Sequence, residues 1–247
     1  MLVKAIKTRP LLPPNDNLLS VIKESVLSVA ERSIIVVTSK VVSIWEGRCV
    51  KISDKINKDE LVKQEADLYL DKIMTQEHPV MLTIKNNILI PTAGIDESNA
   101  NGYYVLWPKK PFLSAKKIYE FIKKEYKLKK FGIIISDSHT TPLRTGIIGI
   151  GIAYYGFNPL RDYRGKKDIF GRKLKMSQTN IVDSLAAAAV YEMGEGSEQT
   201  PISIIEDVGD ISFGTSQDEC SLRISIDEDI YSLLLKSGKW KKGGTKK

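Results

Sequence analysis

The stretch "FGIIISDSHTTPLRTGIIG", residues 131–149, carries the strongest structural signal in this sequence. Phe131 to Ile135 is a short apolar run of the kind that forms a buried β-strand. The run ends in five polar residues, Ser136 to Thr140, which include an acid, hydroxyls and an imidazole. Polar side chains held at the end of a strand are where binding chemistry concentrates. The stretch therefore predicts a buried strand that delivers a functional cluster.

Two other segments have the same design. Pro91 to Asn99 (PTAGIDESN) follows a predicted hairpin, and Met193 to Pro201 (MGEGSEQTP) follows an Ala-rich helix. Each is rich in acids, small hydroxyls and glycines, and each follows an apolar element. Three such turns predict a polar site only if the fold brings them together, which spacing alone does not show.

These turns offer oxygen ligands for a hard divalent cation. Asp96, Asp137 and Glu195 come from the three segments, and Ser138 adds a hydroxyl. Mg²⁺ and Mn²⁺ prefer oxygen ligands, often few of them from protein. Taken one at a time, each acid is better explained as a turn residue than as a metal ligand, because Asp, Asn and Gly dominate turns. A metal site and a set of ordinary turns are both left open by the residues alone.

Composition and charge narrow the class of protein. The 247 residues are 42% hydrophobic, enough to build a proper core. Two cysteines, no long apolar segment and no signal-peptide pattern predict a soluble, cytoplasmic protein without membrane partners. Residues 236–247 hold six lysines and no acid, so they account for most of the net charge of +7. Nucleic-acid binding as the main function is therefore not favoured, and the basic tail is expected to be disordered.

Strand-like and helix-like patterns alternate along residues 1–235, which predicts an α+β fold of mixed β-sheets with flanking helices, with α/β as the alternative. Helices are expected over 17–31, 59–75, 114–126, 183–193 and 227–236. Strands are expected over 34–38, 41–45, 80–84, 88–90, 132–136 and 202–205. The body is interpreted as a single domain, with a division into two subdomains left open.

Two common nucleotide motifs are absent. No GxxxxGK[ST] sequence is present, so a P-loop is excluded. Gly146, Gly149, Gly151 and Gly156 do not have the G-x-G-x-x-G spacing of a dinucleotide-binding turn. Any nucleotide site must therefore be of another kind.

The motifs taken together, in chain order, resemble the γ-glutamyl ligase family of coenzyme F-420 biosynthesis. The resemblance runs from about Arg9 to Asp207 and rests on these stretches: Pro10-Leu11-Leu12, Thr38-Ser39-Lys40-Val41-Val42-Ser43, Glu46-Gly47-Arg48, Ala93-Gly94-Ile95-Asp96, Ser136-Asp137-Ser138, Arg144-x-Gly146, Asp168-x-x-Gly171-Arg172 and Met193-Gly194-Glu195-Gly196. It implies a homodimeric, GTP- and metal-dependent ligase that joins L-glutamate to a carboxylate acceptor through an acyl phosphate. Mg²⁺ or Mn²⁺ is the implied cofactor, with K⁺ as a further candidate ion.

The resemblance also implies site residues. The metal positions are Asp96, Asp137, Ser138 and Glu195. The nucleotide positions are Arg9, Pro10, Leu11, Leu12, Ser39, Lys40, Asn99, Met193, Gly194, Glu195, Gly196, Ser197, Glu198, Gln199 and Thr200. Arg144 and Arg172 are the candidate catalytic residues, as clamps for the transferred phosphate, although structural salt bridges explain them almost as well.

The chain departs from the family pattern at several positions. Thr140 and Thr141 stand where the family carries Gly-Arg, Ile44 replaces a Lys, and Ser184 replaces a Glu. The metal positions are kept, with Ser138 for the usual Thr. These changes leave the acceptor open between a coenzyme F-420 precursor and a folate-type or other carboxylate. A non-catalytic nucleotide-binding relative is the alternative from a different class.

Overall fold

A computed structural model describes residues 1–72, 79–214 and 221–244 of the protein. In chain order the strands are β1 Leu2–Ile6, β2 Ile34–Thr38, β3 Cys49–Lys51, β4 Leu68–Tyr69, β5 Leu82–Lys85, β6 Ile88–Pro91, β7 Tyr103–Val105, β8 Gly132–Thr140, β9 Ile147–Tyr155, β10 Leu160–Asp162, β11 Gln178–Asn180, β12 Ile202–Glu206 and β13 Lys241–Lys242. The helices are α1 Leu18–Ser25, α2 Ser39–Trp45, α3 Lys58–Glu65, α4 Pro111–Tyr126, α5 Ile181–Met193 and α6 Ser232–Ser237. A 3-10 turn, Thr92–Gly94, follows β6.

The main sheet has five strands in the order β1, β12, β2, β8, β9. β2 and β8 are parallel, and the other neighbours are antiparallel. Ile34 to Val37 are all buried, as are Ile133 to Ile135, because helices cover both faces of the sheet. One face packs against α1, α2 and α4, and the other packs against α5. The continuous apolar runs of β2 and β8 are what a sheet covered on both faces requires.

Smaller sheets complete the chain. β13, β4, β5 and β6 form a four-stranded antiparallel sheet, β3 pairs with β7, and β10 pairs with β11. A separate apolar cluster, which includes Val62, Met81 and Leu106, lies beneath α3 and the 3-10 turn. The mixture of sheets and helices confirms the predicted α+β class.

A buried ion triad joins α3 to β5. The Glu65 carboxylate accepts hydrogen bonds of 2.6 Å from both Lys85 Nζ and Arg48 Nη2. Lys85 is almost fully buried, and this burial lowers its pKa despite the partner carboxylate. Charges buried in this way require pairing.

Several predicted elements are confirmed. The Asn86–Asn87 hairpin joins β5 to β6, and both asparagines have the positive φ that such a two-residue turn needs. α4 and α5 match the predicted helices, and α5 ends at Gly194 as expected. The predicted helix over 17–31 is confirmed only to Ser25, with Asn17 as its N-cap.

Three predictions of secondary structure are wrong. Residues 41–45 were expected as a strand but lie in α2, where Val41, Val42 and Ile44 are buried. A short apolar run does not distinguish a buried strand from a buried helix.

The helix expected over 59–75 ends at Glu65, because Leu68 and Tyr69 pair with β5 as β4. Tertiary pairing thus overrides local helix propensity, and residues 73–75 lie outside the described residues. The helix expected over 227–236 covers only Ser232–Ser237, since the acidic residues before it form turns.

The C-terminal tail differs from the disorder expected of it. β13 pairs with β4, the Gly243 amide donates to the Asp67 carbonyl at 3.0 Å, and Lys241 forms an ion pair with Asp71. Residues 241–243 are therefore held against the smaller sheet, while 245–247 lie outside the described residues. Within the described parts of the chain, no helix has the length and apolar character to cross a membrane.

Candidate functional site

The sheet topology gathers distant segments at one edge. β2 and β8 are parallel and their last pair is Thr38–Ser136, so the next residues, Ser39 at the start of α2 and Asp137 within β8, lie side by side. β12 is antiparallel to β2, so its N-terminal end lies at the same edge, where the Thr38 amide donates to the Pro201 carbonyl at 3.0 Å. The segment after β1 joins them through a 2.9 Å hydrogen bond from the Thr8 amide to the Gln199 carbonyl.

A pocket of about 340 Å³ opens at this edge. All of the predicted site residues line it except Leu12, Arg144 and Arg172. The three polar turns identified from the sequence therefore do converge, with Asp96, Asp137 and Glu195 in one pocket. Its volume falls within the range of small-molecule sites.

A β-bulge in β9 lies opposite the point where β8 reaches the pocket. The register between β8 and β9 shifts after Ile135, so that Ile152 is the extra residue on β9. A bulge bends the strand that contains it and increases the local twist of the pair. Beyond this bulge β8 carries polar residues in place of the apolar run.

Asp137 is the most strongly perturbed acid of the pocket. Burial raises its pKa to about 6, although hydrogen bonds from Trp107, Ser138 and Ser39 act in the opposite direction. Its Oδ2 accepts a hydrogen bond from the Trp107 indole, and its Oδ1 accepts one of 2.9 Å from the Ser138 amide. We refer to Ser39, Asp137 and Ser138 as the sheet side of the pocket.

Asp96 has the opposite electrostatic environment. Burial disfavours its carboxylate, but the Lys40 ammonium at 2.7 Å and the Ser98 amide and hydroxyl outweigh that effect and lower its pKa. Its carboxylate also accepts hydrogen bonds of 2.8 and 2.9 Å from Ser98. We refer to Asp96, Ser98 and Asn99 as the loop side of the pocket.

Residues 193–201 close the pocket opposite α2. The Asn99 amide group donates to the Gly196 carbonyl at 2.8 Å, which ties this segment to the loop side. Glu195 lies at the rim, where partial desolvation raises its pKa and Ser138 hydrogen-bonds to it. The segment is ordered internally by the Glu198 carboxylate, which accepts the Gly196 amide at 2.8 Å.

The three acids share the pocket without forming a compact ligand cluster. Among the residues that the structure describes, no group of three or more His, Cys, Asp or Glu side chains is arranged to hold a metal ion. Asp96 is instead paired with Lys40. The negative charge of Asp96 nevertheless raises the pKa values of Asp137 and Glu195, so the three carboxylates interact through space.

Three predicted site residues lie elsewhere on the chain. Leu12 is exposed outside the pocket lining. Arg144 lies in the exposed turn between β8 and β9, and Arg172 lies in an exposed loop closed by Asp168. The structure therefore does not bring the two arginines to the pocket of their own chain.

Some residues of the pocket were not among the predicted site residues. Thr8, Thr38 and Ile44 line the pocket, and Trp107 supports it from behind. Gly94 lies within the quoted Ala93–Asp96 motif, but nothing in the sequence indicated that its backbone packs against Trp107. The pair Trp107-Pro108 has no local chemical pattern, and only its tertiary contact with Asp137 reveals a role.

The part of the chain that carries this site matches a known protein family. The family model described as F420-0:Gamma-glutamyl ligase matches residues 6–207, which include every predicted site residue. The chain belongs to this family. The resemblance seen in the motifs is thereby confirmed, and membership of the F420-0:gamma-glutamyl ligase family supports an enzyme that forms amide bonds.

Individual relatives agree with the family match. The chain is 33% identical over 220 residues to the coenzyme F420:L-glutamate ligase of Methanocaldococcus jannaschii, covering 89% of this chain and 86% of that protein. The enzyme of the same name from Methanococcus maripaludis strain C6 is 34% identical over 194 residues, or 78% and 77% of the two chains. That of Methanosarcina mazei is 33% identical over 215 residues, or 81% and 84%.

Proposed function

We propose that the protein is a GTP- and divalent-metal-dependent γ-glutamyl ligase, which joins L-glutamate to a carboxylate acceptor. The observation that carries the proposal is the convergence of Asp96, Asp137 and Glu195 in one pocket with the 193–201 segment. The family supports amide formation. The nucleotide, the metal and the acyl phosphate are the parts that need an experiment.

The donor chemistry of the pocket fits a hard cation. Its acids offer oxygen ligands, and Ser138 adds a hydroxyl. Burial raises the pKa values of Asp137 and Glu195, so ionising these two carboxyl groups costs free energy. A bound cation would offset that cost. Asp96, Asp137, Ser138 and Glu195 would hold Mg²⁺ or Mn²⁺, and for Asp96 this requires the Lys40 contact to open.

The reaction has two steps. An acceptor carboxylate oxygen attacks the γ-phosphorus of GTP, the bond to the β,γ-bridging oxygen breaks, and GDP leaves. The amino group of glutamate then attacks the acyl carbon, phosphate leaves with the acyl bond electrons, and the nitrogen loses a proton. A divalent cation held by these residues would neutralise charge on the phosphate oxygens.

The protein's own part is to position and neutralise charge. Lys40, once released from Asp96, carries its ammonium group to the phosphates. The 193–201 segment, fixed by Asn99, forms the opposing wall for the nucleotide. On the sheet side, one strand of the main sheet carries both Asp137 and Ser138, because both lie on β8.

Calorimetry with GTP in Mg²⁺ or Mn²⁺ tests the nucleotide and metal. Saturable binding that disappears with EDTA is expected, and absence of GTP affinity with either metal would contradict the proposal. Turnover is then measured as glutamate-dependent release of GDP and phosphate. Exchange of oxygen-18 from the acceptor carboxylate into phosphate distinguishes an acyl phosphate from a route that leaves the acceptor oxygens in place.

The acceptor is tested separately. Ile44 lies in the pocket lining where the family carries a Lys, so this wall is less cationic than the family pattern implies. A coenzyme F-420 precursor is the first acceptor to assay, as implied by the names of the relatives. Turnover only with a folate-type carboxylate would keep the chemistry and change the substrate.

We also propose a homodimer. The large apolar side chains exposed on the β8–β9 turn and on the 163–177 loop include Leu143, Ile147, Ile169, Phe170 and Met176. Arg144 follows Leu143 in the turn, and Arg172 lies in the same loop as Phe170, so a second copy that covered both segments would place both guanidinium groups at the interface. Light scattering that gives the mass of one chain at micromolar concentration would contradict the dimer.

A further inference from the structure

Trp107 stands directly behind the pocket. Its side chain is only 1% exposed, and it does not line the cavity. The indole Nε1 donates a hydrogen bond to Asp137 Oδ2. A buried tryptophan needs an acceptor for its N–H, and here the acceptor is an acid of the pocket rather than a backbone carbonyl.

Neighbouring residues hold both the backbone and the indole ring of Trp107. Arg48 Nε donates to the Trp107 carbonyl at 3.1 Å, and the Leu106 amide donates to the Arg48 carbonyl at 2.9 Å. On the other side the Gly94 backbone lies against the ring, because a Cβ added at Gly94 would fall 2.0 Å from Trp107 Nε1. Gly94 has a φ of +71°, which also favours glycine at this position.

The segment that carries Trp107 also holds Asp96. The Asp96 amide donates to the Val105 carbonyl at 3.0 Å, and the Val105 amide donates to the Asp96 carbonyl at 2.8 Å. Two residues further along the same segment, the Trp107 indole holds Asp137. Val105 to Trp107 therefore connects the loop side and the sheet side of the pocket.

We propose that Trp107 is a positioning residue that fixes the Asp137 carboxylate relative to Asp96. Asp137 Oδ2 accepts the indole N–H and Oδ1 accepts the Ser138 amide, so rotation of the carboxylate is restrained at both oxygens. Each oxygen keeps a further lone pair for a ligand in the pocket. The inference rests on the proposed function, because the ligand that these acids share is taken to be a divalent cation.

The test variant, Trp107→Phe, removes the indole N–H and keeps an aromatic ring at this position. Mn²⁺ binding to the full chain is measured by electron paramagnetic resonance, with and without GTP, for the parent, Trp107→Phe and Trp45→Phe. Trp45 packs against the same apolar cluster and lies outside the pocket lining, so it is the matched control. Loss of a group that orients a metal ligand typically weakens metal binding by about 10- to 100-fold, and we expect this for Trp107→Phe alone.

The outcomes separate the two proposals. No Mn²⁺ binding by the parent would overturn the proposed metal-dependent function. Parent and Trp107→Phe proteins that bind Mn²⁺ equally would overturn the positioning role while leaving the function intact. Equal weakening in Trp45→Phe would also overturn it, because the effect would then follow from general core packing.

A second measurement tests the proposal if the Trp107→Phe protein does not fold. The double variant Trp45→Phe/Trp240→Phe leaves Trp107 as the only tryptophan among the three in the chain. Mn²⁺ should quench its emission saturably, with the same midpoint as the resonance titration, and Asp137→Asn should remove the quenching. Emission unchanged by bound Mn²⁺ would contradict the proposed positioning of a metal ligand by Trp107.

Discussion

The two sides of the pocket hold their acids by opposite means. On the sheet side, Asp137 is part-buried, accepts hydrogen bonds from uncharged donors, and has a pKa raised to about 6. On the loop side, Asp96 has a side chain 46% exposed, is paired with Lys40, and has a lowered pKa. The fold therefore bears a cost to charge one carboxylate and is stabilised by charging the other.

The two acids of this one proposed metal site therefore have different structural roles. Asp137 lies on a strand fixed by the core, so its orientation is constant and its charge is costly. Asp96 lies in a loop, and its charge is balanced by a side chain that solvent can replace. Residues kept at a cost to stability are typical of functional sites.

The largest expected effect is shared by both sides. Asp96→Asn and Asp137→Asn should each leave a folded protein that no longer binds metal and GTP or turns over, because a neutral amide lacks the charge that a hard cation needs. Calorimetry and the phosphate-release assay measure this loss. If the acids were only turn residues, asparagine would replace them well, and folded variants with parental activity would contradict the metal assignment.

The stability of Asp137→Asn should move in the opposite direction to its activity. The parental pKa of about 6 lies roughly two units above the ordinary value of 3.8, so charging Asp137 at neutral pH costs up to about 3 kcal/mol. The Asn variant should therefore unfold at higher denaturant than the parent at pH 7.5 in metal-free buffer. This advantage should shrink as the pH falls from 6 to 4, where the parental carboxyl becomes protonated in both states.

Urea unfolding between pH 4 and pH 8 measures that dependence. Ser138→Ala is a useful comparison, since it changes a neighbouring side chain without removing a titrating group. A constant difference between Asp137→Asn and the parent over this range would show that burial does not raise the Asp137 pKa.

Asp96→Asn should show the opposite sign and a smaller size. Its lowered pKa means that its charge contributes stability above the ordinary pKa, and that this contribution is lost as the pH falls through the lower folded value. Because the Lys40–Asp96 pair is partly exposed, its contribution is expected to be about 0.2–1 kcal/mol. A double-mutant cycle with Lys40→Met and Asp96→Asn isolates it, and a coupling energy near zero at low salt would contradict the pairing.

The smallest effect on the pocket should come from the tail. Deleting residues 238–247 removes the two-residue strand β13 and the Lys241–Asp71 pair, which lie at the edge of the smaller sheet opposite β6, the strand that leads to the loop side of the pocket. We expect unchanged turnover and a stability loss of about 1 kcal/mol or less, as for other exposed contacts. Thermal unfolding and the ligase assay measure both, and loss of turnover would show that the tail contributes to the site.

The secondary-structure predictions are right where a local pattern decides the element and wrong where a tertiary contact decides it. The Phe131–Ile135 run predicted a buried strand, and its hydrophobicity is enough because both faces of the main sheet are covered. The run at 41–45 was misassigned as a strand, since an apolar run of this length suits a buried helix equally. β4 was missed because Leu68 and Tyr69 become a strand only through pairing with β5.

The α+β class, the family and most of the residues that line the pocket could be predicted from the amino-acid sequence, because apolar periodicity and ordered motifs are local properties of the chain. Which of these residues meet depends on the tertiary fold. It paired Lys40 with Asp96, set Trp107 against Asp137, and left Arg144 and Arg172 outside the pocket. The physical reason is that desolvation and ion pairing depend on neighbours brought close by strand order and register, which no local pattern contains.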